Sequence, residues 1–122
     1  MNSVLIVDDE QEICETLKEQ LEGLGAEVAT ALTGEDALKF IEERAWKLVI
    51  VDIKLATTIT GMDVIRAVRK AQPKALVVAM TGYVDVGLRQ EAEKLGVLEY
   101  LAKPDDILPN AFRPKMKALL SL

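Results

Sequence analysis

Histidine is absent from this chain, and cysteine occurs once, at Cys14. Zinc sites of the Cys/His type and intrachain disulfides are therefore excluded, and Cys14 reads as a small buried hydrophobe. Aromatic residues make up only 4% of the chain against a hydrophobic share of 50%, so the core must be aliphatic. Such cores are usual in parallel sheets covered by helices on both faces. A basic excess is lacking too. The 15 Lys and Arg are outnumbered by 20 Asp and Glu, and a net charge of -5 argues against a nucleic-acid footprint. No apolar run approaches the length of a membrane span, and no basic region precedes an apolar one at the N-terminus. No membrane association and a cytoplasmic location are expected.

What the chain does have is a fivefold alternation of short apolar runs with longer amphipathic ones. The strand-like runs are Ser3 to Val7, Glu27 to Thr30, Leu48 to Val51, Ala75 to Ala79 and Val97 to Leu101. Between the first two, Ile13, Leu17, Leu21 and Leu24 form a single helical stripe that Gly23 and Gly25 end. A second helix is predicted from Thr33, with Asp36 three residues on, to about Glu43. A third follows Gly61 and stops before Pro73. A fourth runs roughly from Val84 to Leu95. Alternating βα units imply right-handed crossovers and a doubly wound α/β sheet. Pro104, Pro109 and Pro114 interrupt the last segment, and an interior proline costs a helix about 3 kcal/mol. An irregular or shortened last helix, starting near Asn110 or Arg113, is therefore expected. At 122 residues with no linker or repeat, positions 1–122 suit a single domain, compatible with excision from a longer protein.

The chemistry is concentrated where the strands end. Asp8 and Asp9 close the first strand and Asp52 the third. In open α/β sheets ligands bind beyond the carboxyl ends of the strands, so these acids should converge on one crevice. Like charges gathered there call for a cation. Oxygen ligands without His or Cys suit Mg²⁺ or Mn²⁺. Asp9 could also cap the first helix, with Glu12 completing a capping box. Thr81 follows the fourth strand, adding a hydroxyl, and Lys103 the fifth, adding an ammonium that can hold phosphate oxygens or pair with a carboxylate.

Taken together, Val7-Asp8-Asp9-Glu10, Val51-Asp52, Met80-Thr81-Gly82 and Tyr100-Leu101-Ala102-Lys103-Pro104 resemble the receiver domain of two-component response regulators. The resemblance spans nearly the whole chain. It implies a flavodoxin-like five-stranded parallel sheet of order 2-1-3-4-5. It also implies a phosphoacceptor switch and not an enzyme, beyond self-phosphorylation from small donors and autodephosphorylation. Asp52 would accept a phosphoryl group from a histidine kinase or a histidine phosphotransfer protein. Asp8, Asp9, Asp52 and the backbone carbonyl of Lys54 would hold Mg²⁺ (or Mn²⁺), with Asp8 acting largely through a water. Lys103 and Thr81 would hold phosphoryl oxygens, and Tyr100 would change rotamer as Thr81 moves. The face of the fourth helix, fifth strand and fifth helix, including Val86, Arg89, Glu99, Tyr100 and Lys115, would meet a downstream partner or output domain or form a phosphorylation-dependent dimer.

The chain departs from that pattern in places. Ala56 stands where proline is common, Gly61 lies nine residues after Asp52, and the loop between them, one residue longer than that pattern, predicts a more mobile segment. Lys54 and Tyr83 occupy variable positions that bear on phosphoaspartate hydrolysis, and neither suits orientation of a water, so a long-lived phosphorylated state is expected. Asp105 replaces a common apolar residue. Two other readings fit parts of the chain: a pseudo-receiver that binds partners without phosphorylation, and a dehalogenase-like phosphohydrolase. The latter wants a second acid where Lys54 stands. A flavodoxin-like cofactor binder would need a glycine-rich phosphate loop after Val7, which is missing.

Overall fold

The computed structural model describes residues 2–83 and 85–122. Five strands, β1 (Ser3–Val7), β2 (Glu27–Ala31), β3 (Leu48–Asp52), β4 (Leu76–Thr81) and β5 (Glu99–Ala102), alternate with five helices. These are α1 (Gln11–Glu22), α2 (Gly34–Glu43), α3 (Gly61–Ala71), α4 (Val86–Lys94) and α5 (Pro109–Leu120). Every strand pairing is parallel, in the order β2-β1-β3-β4-β5. The expected doubly wound sheet is present, and with it the crevice beyond its carboxyl edge.

Period-two alternation along the buried strands divides the interior into two cores. Leu5, Val7, Val49, Val51, Val77 and Ala79 face α2, α3 and α4, among Ile41, Trp46, Ile65 and Val68. Val4, Ile6, Leu48, Ile50, Val78 and Met80 face α1 and α5, among Leu17, Leu21, Phe112 and Met116. All five residues of β1 and of β3 are buried, which is why those runs are apolar throughout and not alternating. Cys14 is buried as expected, and burial pushes its thiol up to about 11.

The helix boundaries follow local chemistry. Thr33 caps α2, accepting from the Asp36 amide at 3.0 Å. At α3, Thr60 and Asp63 form a full reciprocal capping box at 3.0 and 3.1 Å. Among the described residues of α4 only Ala92 is buried, with Leu88 and Leu95 partly so. That helix is otherwise held by surface ion pairs: Arg66 to Glu91, and Lys54 to Asp85 at 3.6 Å. The expected start of α4 at Val84 lies outside the described residues.

The last helix corrects one expectation. It is preceded by a 3-10 turn at Asp105–Ile107 and carries Pro114 in its interior, so the irregularity is there, but it spans 12 residues and is as long as α1. Pro109 takes the first helical position, where the missing N–H has no intrahelical partner to lose. Pro114 is exposed, and the apolar stripe Phe112, Met116, Leu120 continues past it into the core.

Candidate functional site

Four parallel strands deliver their C-terminal residues to one end of the sheet, and that register places the site. Asp8 follows β1 and is fully buried. Asp52 ends β3 at 3% exposure, Thr81 ends β4, and Lys103 follows β5 with a side chain 9% exposed. The Lys103 amide donates to the Thr81 carbonyl at 2.8 Å, so hydroxyl and ammonium sit on adjacent strand ends. Asp52 and Lys103 open onto a crevice of about 430 Å³ also lined by Asp9, Glu10, Lys54 and Tyr83.

Lys103 is the hub. Its ammonium donates to Asp8 Oδ2 at 2.9 Å, Asp52 Oδ2 at 3.0 Å and Glu10 Oε1 at 3.0 Å, using all three N–H groups. Burial alone would depress this ammonium, but the three carboxylates outweigh it and hold its pKa above the usual lysine range. In Asp8 burial prevails over the hydrogen bonds. Loss of hydration raises its carboxyl pKa, and the Asp52 charge adds to that, against the hydrogen bonds from Lys103 and the Glu10 amide.

Each acid is also oriented by backbone. Asp8 Oδ1 accepts from the Glu10 amide and Asp52 Oδ1 from the Lys54 amide, both at 2.9 Å. Asp9 does not cap α1, whose N-cap position falls at Glu10 without a side-chain bond; instead Asp9 Oδ2 accepts from the Ala56 amide at 3.0 Å. A proline at position 56 would lack that donor. The segment that Ala56 was expected to loosen is tied further by Gly34 N–H to Thr57 Oγ1 at 3.3 Å and Ile59 N–H to Glu35 at 3.1 Å. Gly61 closes it: a Cβ there would lie 2.2 Å from the Asp52 carbonyl oxygen.

Asp8, Asp9, Glu10 and Asp52 offer oxygens all within 4.8 Å of one another. Four carboxylates facing one ammonium leave an excess of hard anionic donors, and such a set fits Mg²⁺ better than a softer metal. Sequence reading missed Glu10. Its place beside two acids was visible, but nothing in the sequence gave the direction of its side chain. Thr81 Oγ1 accepts from the Tyr83 amide at 3.1 Å, and Tyr83 stands 71% exposed at the rim. Lys54 reaches away from Asp52 to Asp85, whose other oxygen caps α4 at the Leu88 amide, 3.0 Å away. Tyr100 lies half-buried beneath Arg89, whose guanidinium carbon is 5.4 Å from the ring centroid. Among the described residues its hydroxyl has no hydrogen-bond partner.

Comparison with known proteins agrees with this geometry. The family profile of the response regulator receiver domain matches residues 4–110. The chain is 37% identical to the transcriptional regulatory protein ZraR of Escherichia coli O157:H7 over 84% of its own length but only 23% of that protein. It is 31% identical to the photosynthetic apparatus regulatory protein RegA of Rhodobacter capsulatus, over 96% of this chain and 64% of RegA. A CheY-like receiver domain from Methanospirillum hungatei JF-1 superposes with a TM-score of 0.91 at 30% identity, over 99% of this chain and 94% of that one. The BeF3-activated DrrB receiver domain follows at 0.87 and 28%, over 100% and 99%. Receiver domains are signalling switches and not typical enzymes. They depend in general on Mg²⁺, and they interact with histidine kinases and output domains. By profile, relatives and fold alike, this chain belongs to the receiver domains of two-component response regulators.

Proposed function

We propose that Asp52 is the phosphoacceptor of this receiver. The observation that carries the reading is the Lys103 ammonium, 3.0 Å from Asp52 Oδ2 at the floor of the crevice, with the Thr81 hydroxyl at the neighbouring strand end. An Asp52 oxygen forms the new O–P bond as the P–N bond of a phosphohistidine breaks, and the electron pair leaves with the imidazole. Phosphoryl transfer asks of the protein mainly in-line positioning and neutralisation of oxygen charge. Lys103 supplies a fixed positive charge and Thr81 a donor for a second oxygen. Asp8, Asp9, Asp52 and the Lys54 carbonyl would hold Mg²⁺, which when bound neutralises phosphoryl charge. Small donors such as acetyl phosphate would serve in place of the kinase.

The switch follows from the same residues. Thr81, drawn toward the phosphoryl group, leaves room beside Tyr100, whose unpartnered hydroxyl and loose lid of Arg89 make a change of rotamer inexpensive. That motion biases the face of α4, β5 and α5, where Val86 is exposed and Lys115 pairs with Glu99 at 3.8 Å. A partner protein, an output domain or a second phosphorylated copy would read that face, in the cytoplasm.

Incubation with acetyl phosphate and Mg²⁺, followed by intact mass measurement, tests the reading. A phosphoryl adduct that disappears in Asp52→Ala is expected, and its absence from the wild type would favour a phosphorylation-independent pseudo-receiver. Because neither Lys54 nor Tyr83 is an acid or amide suited to orienting an attacking water, the adduct should be long-lived. Lys54→Asn combined with Tyr83→Glu should shorten its half-life, and an unchanged half-life would sink that part.

A further inference from the structure

Glu10 breaks a local rule. N-cap positions favour Ser, Thr, Asp and Asn, whose short side chains return to the first free amides of the helix. Glu10 holds the N-cap position of α1 in extended conformation, φ -92° and ψ 105°, and makes no such bond. Its carboxylate turns across the crevice to Lys103, 93 residues away in sequence, while its amide orients Asp8. Local rules that fail in a folded protein tend to fail at functional positions.

The three acceptors of Lys103 are not equivalent. Asp8 and Asp52 are buried, and in the reading above both are engaged by the metal or the phosphoryl group. The Glu10 side chain is 62% exposed, on the solvent side of the ammonium, and outside that ligand set. It is therefore the acceptor left to Lys103 when the inner carboxylates are taken. It is also the one that phosphoryl oxygens must displace, and its negative charge stands where an anionic donor enters.

We propose that Glu10 is a positioning residue that holds Lys103 from the crevice mouth and competes with the phosphoryl oxygens for its ammonium, so that it acts as a brake on phosphorylation. The inference rests on the assignment of Asp52 as phosphoacceptor. Removing the charge makes Lys103 more available and weakens repulsion of the donor. Like charges a few ångströms apart in a partly exposed site interact by about 1 kcal/mol, or roughly fivefold in rate.

The test compares wild type, Glu10→Gln and Glu10→Asp at saturating Mg²⁺. The initial rate of adduct formation from acetyl phosphate is followed by intact mass from low to high ionic strength. Affinity for beryllium fluoride, a phosphoryl analogue, is measured by calorimetry. Glu10→Gln should react about fivefold faster at low salt, with a flatter salt dependence and tighter beryllium fluoride binding. Glu10→Asp, which keeps the charge, should retain the salt dependence of wild type. A purely structural role would leave the salt dependence unmoved. Wild-type adduct formation with Glu10→Gln equal or slower, and beryllium fluoride affinity unchanged, would overturn the brake alone. Absence of adduct and of beryllium fluoride binding in the wild type would overturn the assignment of Asp52 and the brake with it.

Discussion

The two edges of the sheet use polar groups in opposite ways. At the amino edge, Gln72 accepts from the Trp46 amide at 2.8 Å and donates to the Ile41 and Arg44 carbonyls at the same distance, closing the end of α2. The Trp46 indole donates to the Phe40 carbonyl at 2.9 Å, its ring meets Phe40 edge-on, and Arg44 lies over it at 4.7 Å. Ser3 accepts from the Lys47 amide at 3.1 Å, and Arg69 serves the Pro73 and Ala75 carbonyls. These polar contacts go mostly to backbone amides and carbonyls, and little is left to react. At the carboxyl edge, three acids share one ammonium and a fourth, Asp9, stands beside them. One edge satisfies its backbone; the other keeps charge in excess for something to bind. Stability and function are separated by the length of a strand.

Breaking the quiet edge should have the largest effect. Trp46→Ala removes a side chain 4% exposed together with its aromatic and cationic neighbours, and should lower unfolding stability by about 3–5 kcal/mol. Denaturant titration measures that loss, while the adduct yield of the folded fraction should match wild type. A yield that fell with the stability would mean that the edges are not separable.

Gly61→Ala strikes the other edge through its backbone. The new Cβ would lie 2.2 Å from the Asp52 carbonyl oxygen and 2.6 Å from the Ile53 Cα, both unyielding, so a loss of about 1–3 kcal/mol is expected. Here the adduct rate should fall too, because the displaced backbone carries Asp52. A variant with normal kinetics would show that the loop does not position the acceptor.

The smallest effect has the opposite sign. Burial raises the Asp8 carboxyl pKa above its ordinary 3.8, so the folded state binds protons more tightly there than the unfolded chain. Its contribution to stability is then greatest below about pH 3.8 and declines as pH rises through the raised value. Asp8→Asn removes this term. In metal-free protein the variant should gain on wild type as pH climbs through that window and keep the advantage at neutral pH. A gap that narrowed with rising pH would contradict the crowding of charge at this edge.

The same contrast explains how much could be read in advance. Asp8, Asp52, Thr81 and Lys103 were legible because strand ends are set by periodicity, and a parallel sheet gathers them at one edge. Thr33 as a cap was legible as a local pattern. Whether Asp9 caps α1 was not, because Thr-x-x-Asp and Asp-x-x-Glu look alike until the Ala56 amide arrives from another loop. The same holds for the length of α5: proline counts against a helix locally, while Phe112, Met116 and Leu120 decide the matter by packing on a distant strand layer. Glu10 is the extreme case, its partner being supplied wholly by tertiary structure.

The sparse anchoring of α4 has a consequence of its own. A helix fastened by exposed charge pairs, one buried alanine and the partly buried Leu88 depends more than its neighbours on forces that dissolved ions weaken. Ionic strength should therefore loosen this helix before it loosens the others.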